Sequence, residues 1–372
     1  MYRARLERDF RHWIDKGLLQ EDAARAMLAE YDGRESTFRA GRVLLMLAAL
    51  LLSASILLLV AANWEELPRL ARLARVAGIV ALIWGFHFAA AWLIRSGRTT
   101  LAAAALVLGA AAFGGGIALV GQMYHLSGDA ADAALLWFVG ACLSALAFRS
   151  AAMATVSGGL AWFYFGTMLT ESDFSTASDW HLWSVPVLAV IVVLLVRFTE
   201  AGSARHLAYL LVLSWLGWLY LDSPSLAFAV GLAVLGLAAF LVATLPGSPV
   251  RQLALEAGSA PAFYSFALAL LGFTGLQYEA VGLTTEVATG TGTLLVALLG
   301  IALAGAQNGA VRYLGYIAFA GELLYLAFET LGSMLGTSGF FLISGLVVAC
   351  IAWLVIRIEG HMARTRQSEV SQ

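Results

Sequence analysis

The chain has 372 residues, of which 61% are hydrophobic and 12% charged, with a formal net charge of −2. Soluble domains carry about 25% charged residues, so this composition excludes an ordinary water-soluble globule. The formal charge by itself says nothing about nucleic acid, but no basic block longer than a few residues is present, so no nucleic-acid partner is expected.

Residues 1–42 form the only substantial polar segment. Tyr2–Lys16 and Glu21–Tyr31 have helical character, with Leu6, Phe10, Trp13 and Ile14 forming an apolar stripe on the first. Gly17 stands where a C-terminal helix cap is expected, so the segment is predicted to be a helical hairpin. It holds nine basic and eight acidic side chains, which suits a solvated element rather than a polybasic anchor. It is either a cap docked on the cytosolic face or a module that binds a cytosolic protein partner. No cleavable leader is expected, because the first apolar run starts only at Val43.

From Val43 onward, apolar runs recur at about the 20-residue length that one bilayer crossing needs. Twelve spans are expected: 43–62, 74–94, 101–121, 131–148, 151–169, 181–197, 206–221, 225–245, 258–276, 289–306, 311–330 and 339–356. The expected fold class is all-α, a polytopic transmembrane bundle of about twelve helices in contact with the lipid bilayer. The expected domains are a cytosolic segment 1–42, a multi-pass domain 43–356 and a cytosolic tail 357–372. With the N-terminus in the cytosol, inner segments carry nineteen basic residues and outer loops three (Arg69, Arg72, Arg75). That asymmetry places both termini in the cytosol. Cys142 and Cys350 fall inside apolar runs, where a thiol behaves as a small hydrophobe.

This topology brings two polar clusters to the outer face. One is Asn63, Trp64, Glu65 and Glu66 at the end of the first span. The other is Gln122, Tyr124, His125, Ser127, Asp129 and Asp132, following the third. A histidine with carboxylates can bind a divalent cation or shuttle protons. However, His125, Asp129 and Asp132 share a face only if their loop is helical, and Ser127–Gly128 interrupts it. No metal site is assigned. The clusters are read as helix-end capping or as a binding site for a small polar ligand.

Three stretches in this part of the chain, RHWIDKGLLQEDAARAML, LLLVAANWEELPRLARL and FGGGIALVGQMYHLSGDAADAALLW, resemble an uncharacterised bacterial integral-membrane family, domain of unknown function twenty-one fifty-seven. The resemblance covers residues 10–150. It implies a multi-pass membrane location and no established chemistry, cofactor or catalytic residue.

Gly114, Gly115 and Gly116 lie at mid-depth of the third span. Either they let helices approach closely, or they break the helix and expose half-helix ends to a ligand. Ionisable groups inside spans carry more weight, because burying one costs about 2.5–3.5 kcal/mol even on insertion scales. These are His87 in the second span and Glu322 and Glu329 in the eleventh. The glutamates are seven residues apart and share a face. They point to an ion or proton path, or else to protonated carboxyls bonded between helices.

No phosphate loop, G-x-S-x-G elbow, C-x-x-C pair or H-E-x-x-H is present, so no cofactor and no catalytic residue is assigned. The leading expectation is transporter- or channel-like binding of a small polar solute or ion from the outer face. Two alternatives remain: an envelope enzyme acting on a lipid-linked substrate through His125 or Asp129, and a non-catalytic scaffold or sensor.

Overall fold

Backbone amides in hydrocarbon must be bonded within their own segment, which makes helices the natural form of apolar runs this long. The computed structural model describes residues 2–33, 40–61, 69–123, 130–170, 179–245 and 260–326, with isolated positions 248, 251, 328, 345 and 349. The fold is an all-α bundle, with no strand among the described residues. Chain packing divides it into two units, Met1–Gly128 and Asp129–Gln372.

The first unit opens with the hairpin α1 (Tyr2–Asp15) and α2 (Glu21–Gly33). Gly17 has φ +71°. Its N–H donates to Ile14 O at 2.9 Å, and Leu18 N–H donates to Trp13 O at 2.9 Å. This is the left-handed cap that glycine adopts most cheaply. Phe10 is buried, as the apolar stripe predicted, and packs in the hairpin whose second helix buries Ala24, while Trp13 remains exposed.

Three longer helices follow: α3 (Ala40–Ala61), α4 (Arg69–Arg95) and α5 (Thr99–Met123). Helix α4 ends as α1 does, with Gly97 at φ +73° and Arg98 N–H donating to Leu93 O. Helix α5 packs against both α3 and α4. Of its apolar window 56% is buried, against 11% for α4, so α5 is the centre of this unit. Its alanines and glycines make that burial possible: Ala102, Ala105, Gly109, Ala112 and Gly116 let neighbouring helices approach closely. Helix α4 instead turns Trp84, Phe88 and Trp92 outward, four residues apart and all more than half exposed.

The second unit contains α6 (Ala130–Phe148), α7 (Ala151–Thr170), α8 (Asp179–Thr199), α9 (Arg205–Asp222), α10 (Leu226–Thr244), α11 (Ala260–Glu279) and α12 (Leu283–Ala304). A further helix, α13, covers residues 309–326. Helices α6, α7 and α8 pack on one another, α9 on α7 and α8, and α11 on α9, α10 and α12. The α10–α11 pair is the closest. A methyl added at Gly236 or Gly272 would fall inside the backbone of Ala269 or Ala233.

Helices α6 and α8 end on non-glycine left-handed residues, Arg149 (φ 45°) and Glu200 (φ 59°). The two are clasped. Arg149 donates to Glu200 Oε1 and to Phe198 O, each at 3.1 Å, and its guanidinium lies 5.5 Å from the Phe198 ring centroid.

Helix ends fall within a few residues of the expected spans, for example Ala151–Thr170 against 151–169 and Arg205–Asp222 against 206–221. The expected count of twelve crossings is corrected. Among the described residues, six helices are long and apolar enough: Val76–Arg95, Thr99–Met123, Ala130–Phe148, Leu226–Thr244, Ala260–Tyr278 and Leu283–Ala304. The physical reason is dilution of apolar character. Ser157, Trp162 and Tyr164 lower it in α7, Arg205, His206 and Ser214 in α9, and Arg312 and Glu322 in α13. The described apolar parts of α3 and α8, Leu44–Ile56 and Trp183–Thr199, are short. The span expected at 339–356 lies outside the described residues, apart from positions 345 and 349.

Candidate functional site

Most of the two outer clusters falls outside the described residues: Asn63, Trp64, Glu65, Glu66, Tyr124, His125 and Asp129, and with them Glu329. Two members are described. Gln122 lies in the last turn of α5, half-buried, and its Oε1 is buried with no hydrogen-bond partner among the described residues. Asp132 is exposed in the first turn of α6, where a carboxylate faces the positive end of the helix dipole.

The glycine run does not break its helix. Helix α5 is continuous from Thr99 to Met123, Gly114 and Gly115 are buried, and a Cβ at Gly116 would stand in ordinary contact range of Ile79 and Ile83 of α4. The run is a packing surface, and the half-helix reading of it is set aside.

His87 lies on the face of α4 turned to α5. Its Nδ1 is 2.7 Å from Ile83 O. A carbonyl only accepts, so the Nδ1 proton donates to it. The ring covers Gly109: a Cβ there would be 2.7 Å from His87 Cε1. His87 is therefore held by its own helix and by a notch in the next one, all within the first unit.

Glu322 is in the second unit, on α13. Its Oε1 is buried, has no hydrogen-bond partner among the described residues, and is 2.6 Å from where a Cβ on Gly290 of α12 would stand. The absence of a side chain at Gly290 makes room for the carboxylate against the α12 backbone. Leu326, one turn on, fills the rest of the same notch.

A polar seam, not anticipated from the sequence, runs beside it between α11 and α12. The Thr289 hydroxyl donates to Gln277 Oε1 at 2.6 Å, and Gln277 Nε2 donates to Glu286 O at 3.2 Å. Thr293 is buried one turn further on. At the end of α11, the Tyr220 hydroxyl lies 2.8 Å from Gly275 O and 3.1 Å from Glu279 Oε1, sharing one proton between two acceptors. The four-residue recurrence of Thr285, Thr289 and Thr293 was the available sequence signal.

No group of three or more metal-ligating side chains occurs among the described residues. Cys142 is a buried free thiol. The seam and Glu322 together offer hydroxyl, amide and carboxylate groups inside an apolar helix packing, a donor set suited to a proton, a small cation or a small polar solute.

Residues 11–154 match the family described as Predicted membrane protein (DUF2157). The match begins at Arg11, within α1, and ends in the first turn of α7, so Glu322, Gly290 and the polar seam lie beyond the DUF2157 region. Together with the apolar helices, it makes this a membrane protein with transmembrane helices. No curated protein and no solved structure matches the chain.

Proposed function

We propose that the protein is a transporter- or channel-like protein of the bacterial inner membrane, and that Glu322 binds the proton or small cation that it moves. One observation carries this reading: a carboxylate oxygen buried against Gly290 in an apolar helix packing, with no hydrogen-bond partner among the described residues. An intramembrane carboxylate costs about 2.5–3.5 kcal/mol and persists where it is protonated, hydrated or paired with an ion. The hydroxyl and amide groups of Thr289 and Gln277 extend the polar surface along the neighbouring pair of helices.

The arginine asymmetry supports a multi-pass chain with both termini in the cytosol. In that arrangement residues 1–42 are a cytosolic segment open to a protein partner, 43–356 the membrane domain and 357–372 a cytosolic tail. Asn63–Glu66 and Gln122–Asp129 would then face the outer side, where solute enters.

The test is flux in proteoliposomes of the full chain. An internal pH dye follows protons under an imposed potassium diffusion potential, and sodium or potassium gradients are tested in parallel. Wild type is expected to exceed protein-free liposomes. Glu322→Gln is expected to fall to their level, and Gly290→Ala, whose methyl displaces the carboxylate, to fall with it. Wild-type flux equal to that of empty liposomes, or Glu322→Gln flux equal to wild type, would refute the proposal.

A further inference from the structure

At one end of the α9–α11 pair, four polar or cationic side chains converge without a described carboxylate among them. His206 Nδ1 is 3.0 Å from the Tyr264 hydroxyl. The Tyr209 and Tyr264 rings are 5.0 Å apart between centroids, and the His206 ring lies 5.8 Å from Tyr264. Arg205, the first residue of α9, is close enough for its guanidinium to interact electrostatically with Tyr264. Its Nε is buried with no hydrogen-bond partner among the described residues.

This is a donor-rich set. A guanidinium offers five N–H groups and accepts none, and the phenols and imidazole can each donate. Its contrast with the other clasped arginine is instructive: Arg149 at the end of α6 has Glu200 and a carbonyl to satisfy it. A buried guanidinium nitrogen without an acceptor is unfavourable, because it has given up its water without a replacement. An acceptor carrying negative charge and several oxygens would satisfy this nitrogen and a tyrosine hydroxyl together. Phosphate has that geometry. Its place at the ends of apolar helices is the depth at which phospholipid headgroups lie, where basic pockets between helices take anionic lipid.

We propose that Arg205, His206 and Tyr264 form a phosphate-binding site that holds the phosphate of a phospholipid headgroup or free phosphate. The site is separate from Glu322 and stands whether or not the protein moves ions.

The experiment is thermal unfolding of the full-length protein in neutral detergent micelles. It is titrated separately with phosphatidylglycerol, phosphatidylcholine and inorganic phosphate. Stabilisation by phosphatidylglycerol beyond phosphatidylcholine, lost in Arg205→Gln and kept in Arg197→Gln (an exposed arginine at the end of α8), supports a lipid phosphate. Stabilisation by inorganic phosphate with the same dependence on Arg205 supports the free anion. Arg205→Lys keeps the charge without the fork and serves as the second variant; it should need about tenfold more of the effective ligand. Tyr264→Phe should weaken the response in the same direction. No response of wild type to either phosphate source, or equal responses of wild type and the Arg205 variants, would overturn the proposal.

Discussion

Replacing Gly236 by Ala tests how far the α10–α11 pair depends on backbone touching backbone. The new methyl carbon would stand 2.6 Å from Ala269 Cα and 2.7 Å from Leu268 C, and closer still to Ala269 N. Non-bonded carbons prefer about 3.5–4.0 Å, a shortfall of about 1 Å against several atoms at once. Backbone cannot rotate aside as a side chain does, so the two helices must part. A gap of about 0.5–1 Å forfeits a quarter to a half of the dispersion attraction across the seam. Overpacking typically costs about 1–3 kcal/mol, and contact with fixed backbone places Gly236→Ala at the top of that range. A loss of about 3 kcal/mol is about a hundredfold in the unfolding equilibrium. The control is Gly231→Ala on the same helix, where a Cβ meets nothing within 4 Å; there alanine's helix preference should gain up to about 1 kcal/mol. Gly272→Ala meets Ala233 from the other side and should cost as much as Gly236→Ala. The double variant should cost less than the sum, because the first methyl has already parted the helices. The readout is equilibrium unfolding of the full chain in mixed micelles titrated with dodecyl sulfate. A Gly236→Ala protein as stable as the Gly231→Ala control would refute the reasoning.

The other predictions concern local arrangements. Glu200→Gly should be close to neutral in the same unfolding assay: it relieves a left-handed residue worth about 1–2 kcal/mol while losing an exposed ion pair worth at most about 1 kcal/mol. If Glu200→Gly instead costs more than Glu200→Ala, the φ of +59° is not strained. Gly109→Ala should destabilise through its clash with the His87 ring 2.7 Å away, by about 1–3 kcal/mol. His87→Ala in the same chain should recover most of that loss, and an additive double variant would show that the two residues do not touch.

How much of this was legible in the sequence varies with the range of the interaction that fixes each feature. Gly17 and the ends of the apolar runs are local signals, and the helix boundaries follow them closely. The span count failed because a run-length reading weights Trp162, Tyr164 and His206 too lightly; these side chains dilute α7 and α9 without interrupting them. Glu322 was visible as a carboxylate in an apolar run, but its notch was not, because Gly290 lies on another helix. The same limit hid the Arg205 cluster: His206 and Tyr264 are 58 positions apart and meet only through the packing of α9 on α11. The glycine run of α5 was ambiguous for a different reason. Glycine weakens a helix and also lets a neighbour approach, and only the partner surface, here Ile79 and Ile83, decides between the two.

The outward row on α4 has a use of its own. Trp84 and Trp92 are separated by eight residues on one side of a continuous helix, about 12 Å along its axis. Two indoles that differ in height by roughly a third of a bilayer core form an intrinsic depth gauge. With the other nine tryptophans replaced by phenylalanine, quenchers fixed at different positions along lipid chains would read the tilt and immersion of α4 without any label being attached.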